Sequence, residues 1–127
     1  SSAASDVYKR QPITRVKILD DERTVIIAGE NKQIQKWNSH GREMIGTFSG
    51  HSGDVHAIAI SPDQDLMASA SKDNTIRIWD IDTCVERKTL RGSRGSINDV
   101  RFSPDGDHLF SGNSEGERWL IGEFNWM

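Results

Sequence analysis

Ser69-Ala70-Ser71-Lys72-Asp73-Asn74-Thr75-Ile76-Arg77-Ile78-Trp79-Asp80 holds parts of two strands and the turn between them. The segment Leu66–Ser71 is short and almost free of charge, as expected of a strand covered on both faces. Lys72-Asp73-Asn74 supplies a tight polar turn, and residues 75–79 are β-branched and aromatic with period two. Working outward, Val55–Ile60 alternates around small residues and suits an inner strand. Ser61-Pro62-Asp63-Gln64 then turns the chain, with proline pre-setting φ. Asp82-Thr83-Cys84 turns it again, and residues 85–90 carry the charge of a solvent-facing outer strand, which discourages edge pairing. The unit is a four-stranded antiparallel meander, and no stretch reads as helix.

The unit recurs at a step of 42 residues. Trp37 precedes Trp79 by that step, Ile60-Ser61-Pro62-Asp63 returns as Phe102-Ser103-Pro104-Asp105, and Gly50 returns as Gly92. Val16-Lys17-Ile18, Ile58-Ala59-Ile60 and Val100-Arg101-Phe102 keep the same beat. A period of ~40–45 residues marks stacked supersecondary units that cannot bury their apolar faces singly. The fold class is therefore all-β, an array of four-stranded blades. Residues 12–54 form a divergent first repeat, 55–96 a complete second and 97–127 a third that is truncated or divergent after 115. Residues 118–127 read as a divergent strand with a two-residue deletion, or as a read-through, frameshift or assembly scar. Residues 1–11 resemble the in-frame translation of a transposase adapter used for sequencing libraries. They are set apart from the fold, and that resemblance implies that the native N-terminus lies elsewhere.

Composition narrows the partners. Sixteen basic and nineteen acidic residues leave a net charge of −3, too balanced to make nucleic acid or an anionic membrane the default partner. No apolar run approaches the ~20 residues of a membrane span. The lone Cys84 excludes an internal disulfide framework and fits a reducing, intracellular setting, cytoplasmic or nuclear.

Gly50-His51, Ser61-Pro62-Asp63 and the stretch Ser69 to Trp79-Asp80 together resemble the WD repeat of β-propellers, over residues 13 to about 115. WD propellers close ~4–8 blades around a channel. The resemblance implies a partial propeller whose role is a protein-interaction platform without catalysis, cofactor or metal. It also implies a wall network in which the Trp79 indole donates to Ser69, Ser69 bonds His51 and His51 bonds Asp73. The flanking repeats depart from the pattern. Ile27 stands for Ser69, Asn31 for Asp73 and Asn38 for Asp80 in the first; Ser93 stands for His51 and Glu115 for Asp73 in the third.

A serine, a histidine and an acid also make the catalytic set of a hydrolase. Here a buried indole N–H, which can only donate, needs Ser69 as its acceptor, and no Gly-x-Ser-x-Gly elbow surrounds that serine. His40, His56 and His108 fall at no metal-ligand spacing. Arg87, Lys88, Arg91, Arg94 and Arg101 form a modest basic stretch that suits a solvated rim. The resemblance places partner contacts near the channel mouth, at Thr14, His56 and Asn98 and at Glu30, Lys72 and Ser114. Two other functions stay open: a regulatory propeller attached to a kinase or nucleoside-triphosphatase, and a propeller that binds nucleic acid or acidic lipid.

Overall fold

A computed structural model describes residues 13–29, 32–91, 97–113 and 118–123. Among the described residues, eleven strands form three antiparallel sheets in chain order. Blade 1 comprises β1 (Ile13–Ile18), β2 (Thr24–Gly29), β3 (Ile34–Asn38) and β4 (Glu43–Phe48). Blade 2 comprises β5 (Val55–Ile60), β6 (Leu66–Ser71), β7 (Ile76–Asp80) and β8 (Glu86–Leu90). Blade 3 is incomplete among the described residues, with β9 (Ile97–Phe102), β10 (His108–Asn113) and β11 (Arg118–Glu123).

In blade 2, exposure follows composition. All six residues of β6 are buried, whereas Glu86, Arg87 and Lys88 of β8 are exposed. Thr75 falls just before β7 because its N–H and hydroxyl are both spent on the Asp73 carboxylate. Val85 falls just before β8 because its carbonyl closes the turn by accepting from the Asp80 N–H.

Alternation sends neighbouring residues of one strand into different cores. Ile58, Met67, Trp79 and Ile81 join Leu19, Ile26, Ala28, Ile34 and Phe48 in the core between blades 1 and 2. Ala57, Ala59, Ala68 and Ile78 join Ile97, Val100 and Leu109 between blades 2 and 3. Two polar ties assist the first junction: the Asp20 N–H donates to Gln64 Oε1 at 2.9 Å, and Lys36 Nζ donates to the Ile81 carbonyl at 2.9 Å. Val16 and Ile18, which match Ile58 and Ile60 at the 42-residue step, remain exposed on the opposite side of blade 1.

The step is kept in the backbone even where side chains change. Glu22, Gln64 and Gly106 all have positive φ, as do Lys32 and Asn74, and Arg42 and Cys84. In blade 3, Gly112 pairs with Arg118 and Ser111 with Trp119, one step on from Ala70 with Ile76 and Ser69 with Arg77. The expected two-residue deletion is therefore absent. β11 instead shifts register between His108 and Phe110, so that His108 meets Glu123, one residue beyond the spacing of Leu66 with Asp80 in blade 2. The adapter-like residues 1–11 lie outside the described residues.

Candidate functional site

Two features stand out: a polar chain inside blade 2, and a repeated irregularity on the inner strands. In the polar chain, Trp79 Nε1–H donates to Ser69 Oγ at 2.8 Å. The Ser69 hydroxyl donates to His51 Nε2 at 2.6 Å, and His51 Nδ1–H donates to Asp73 Oδ2 at 3.0 Å. The proton order follows from valence, because a carboxylate can only accept and an indole can only donate. Asp73 also accepts from the Ser52 N–H and from the N–H and hydroxyl of Thr75. Burial pushes its carboxyl up, but the bonds from Thr75, Ser52 and His51 outweigh that and hold it well below the usual range. Burial likewise lowers His51 below the ordinary histidine value, against the opposing pull of Asp73. The imidazole is thus neutral near pH 7, which suits its accepting from Ser69.

Local backbone makes room for this chain. A Cβ at Gly50 would lie 2.9 Å from Arg77 Nη1 and 3.2 Å from the Trp79 ring. One at Gly53 would lie 2.8 Å from the Asp73 nitrogen. Both are therefore closed to larger residues without movement. The Trp79 ring also meets Phe48 of blade 1 edge-on, with centroids 5.7 Å apart.

Ser69, His51 and Asp73 stand in the order of a hydrolytic triad, but their surroundings do not serve one. Ser69 is 0% exposed and already accepts the indole proton. Among the described residues, no group of three or more histidines, cysteines or acids converges on a metal position. Cys84 sits in a turn beside Gly46, where burial raises its thiol.

The irregularity is a bulge near the start of each inner strand. The pairing of β1 runs Ile13–Gly29 then Arg15–Ala28, passing over Thr14. That of β5 runs Val55–Ser71 then Ala57–Ala70, passing over His56. That of β9 runs Ile97–Asn113 then Asp99–Gly112, passing over Asn98. A bulged residue is left out of the ladder, and bulges re-aim side chains at barrel rims and beside functional sites. His56 is half-buried, while Lys72 and Asn98 are exposed. Lys72 lies at the same blade end as His56, its N–H donating to the Asp54 carbonyl. Glu30 and Ser114 lie outside the described residues, as does the Thr14 side chain.

Sequence reasoning did not anticipate the bulges, the part of Thr75, or the acceptor for Trp37. That indole donates to Gln35 Oε1 at 3.0 Å. The basic stretch is also dispersed: Arg87 shares a cavity with Asp63, Asp65, Asp80 and Asp82, whereas Arg101 stands on β9, and Arg94 lies outside the described residues.

These blades, their polar chain and the repeated bulges define a WD-repeat protein. The family described as WD domain, G-beta repeat matches residues 42–80 and 84–117, more than half of the chain, and the chain belongs to it. The chain is similar to eukaryotic translation initiation factor 3 subunit I of Schizosaccharomyces pombe, with 36% identity over 73 residues, 58% of this chain and 22% of that protein. It is also similar to the same subunit of Neurospora crassa, with 37% identity over 71 residues, 56% of this chain and 20% of that protein. The chain thus spans about a fifth of the length of these relatives.

Proposed function

We propose that these blades are a slice of a non-catalytic propeller that holds proteins together, in the setting of translation initiation factor 3. The observation that carries this reading is the spent state of Ser69. It is fully buried, accepts from Trp79 and donates to His51, so its chemistry holds a wall rather than meeting a substrate. The similarity to subunit I of that factor supports this setting and, with it, a location inside the cell. No helix among the described residues is long and apolar enough to cross a membrane.

The contacts to partners sit at the bulged rim: Thr14, His56 and Asn98, with Lys72 and, by the 42-residue step, Glu30 and Ser114. Bulging supports this placement because it leaves one residue out of the backbone ladder at the same point in three successive blades. The test is affinity capture of the intact propeller, wild type against His56→Ala/Lys72→Glu/Asn98→Ala, with the retained proteins identified by mass spectrometry. Retention of factor 3 subunits by the wild type and their loss from the variant is expected. A variant that keeps them overturns the rim assignment, and a wild type that retains none overturns the setting.

A further inference from the structure

The two blade junctions differ at their inner ends. Against blade 3, blade 2 presents Ala57 and Ala59, both buried in the shared core. The residues one step earlier, on β1, are Arg15 and Lys17, both exposed. A cavity of about 540 Å³ opens here, lined by these two cations together with Asn98, Asp99 and Arg101 of β9 and the apolar stretch of β5 from Ile58 to Ile60. That volume lies within the ~300–1,000 Å³ typical of ligand pockets.

From this we infer that the inner wall of β1, β5 and β9 binds an extended acidic peptide segment of a partner protein, a reading that rests on the interaction role proposed above. Three features fit that occupant. Among the described residues the wall gathers three cations against one acid, in a chain whose net charge is −3. The acid, Asp99, stands 3.7 Å from Arg101 Nε and accepts from the Val100 N–H, so part of its charge is met locally. Arg15 and Lys17 are alternate residues of a strand, about 7 Å apart at ~3.4 Å rise per residue, the spacing at which alternate carboxylates of an extended peptide recur. β1, β5 and β9 also stand at the edges of their sheets, and edge strands offer backbone donors and acceptors to an extended chain. Single-stranded nucleic acid fits less well, because it needs aromatic platforms for stacking and, among the described residues, Phe102 is the one aromatic in the lining.

The test is fluorescence anisotropy on the intact propeller with labelled oligoglutamate, oligolysine and mixed-sequence single-stranded RNA. Oligoglutamate should bind, more weakly as salt is added, and oligolysine should not. Arg15→Glu/Lys17→Glu should weaken it at least about tenfold, and the milder Arg15→Gln/Lys17→Gln, checked for an unchanged melt, should weaken it in the same direction. The outer-strand control Arg87→Glu/Lys88→Glu should stay within about twofold of wild type. Equal loss in the control, preference for RNA, or no binding of oligoglutamate overturns the inference. A propeller that retains its partners in the capture experiment yet ignores oligoglutamate overturns this inference alone and leaves the interaction role standing.

Discussion

Trp37 and Trp79 occupy the same place in successive blades, yet each solves the same problem differently. Both are buried and both must place an indole N–H. Trp79 reaches across to Ser69 on the neighbouring strand, and the proton chain continues through His51 to the turn before β7. Trp37 faces Ile27 where that serine stands, so it bonds Gln35 two residues back on its own strand. The first solution ties β6, the segment before β5 and a turn together. The second is a bond within β3. Satisfying a donor and cross-linking a blade are therefore separable tasks, and blade 2 does both with one chain.

The largest expected effect separates the two tryptophans. Trp79→Ala removes a ring packed in the ten-residue core between blades 1 and 2 and should cost ~3–5 kcal/mol. Trp37→Phe takes from Gln35 a donor on its own strand and should cost less than Trp79→Phe, which takes a donor from Ser69 inside the buried polar chain. Thermal or denaturant melts of the intact propeller measure all three, and equal losses from Trp37→Phe and Trp79→Phe would break the contrast. Next, His51→Ala or Asp73→Ala should cost ~1–3 kcal/mol by stranding buried partners. In a double-mutant cycle, Ser69→Ala should couple to Trp79→Phe by ~0.5 kcal/mol or more but be additive with Gln35→Ala.

Acid should also tell the blades apart. His51 and Asp73 both have folded pKa values below their unfolded ones. The unfolded chain therefore takes up protons first, and stability falls as pH drops. The His51 contribution is present above its ordinary value of 6.5 and declines below it, while that of Asp73 declines below 3.8. The Trp37–Gln35 bond contains no titratable group. His51→Asn should erase the first decline, and urea melts between pH 7 and pH 5 would show it; an unchanged slope would refute the neutral imidazole. The smallest effect concerns a turn. Glu22 holds φ 58 where the third blade has Gly106, so Glu22→Gly should stabilise by up to ~1 kcal/mol, read as a raised melting temperature.

The blades were legible in sequence because the period repeats patterns that physics enforces everywhere: alternation, the proline turn and the buried small strand. The polar chain was legible only through family resemblance, since nothing in the spacing of His51, Ser69 and Asp73 says which atoms meet. Thr75 escaped notice because its hydroxyl serves a carboxylate two residues away, a local bond that any threonine after a turn aspartate could make or leave unmade. Gln35 was hidden for a related reason, since a lone polar residue on a strand carries no mark of what it will face, and this one is buried. The bulges left no trace in residue type at all, for Thr14, His56 and Asn98 share only their position. Strand β11 misled in the other direction: Trp119 looked like a displaced copy of Trp79, whereas the ladder aligns it with Arg77.

The matched family segments begin at residues 42 and 84, one strand before each new blade, so β4 belongs in sequence with the strands that build blade 2. The repeat as matched is therefore one strand out of phase with the sheet that folds. On the ribosome, where synthesis proceeds at ~5–20 residues per second, blade 1 stays three-stranded until the leading strand of the following copy emerges to close it. Each of the two matched repeats thus supplies the closing strand of the blade before it ahead of the first strand of its own sheet.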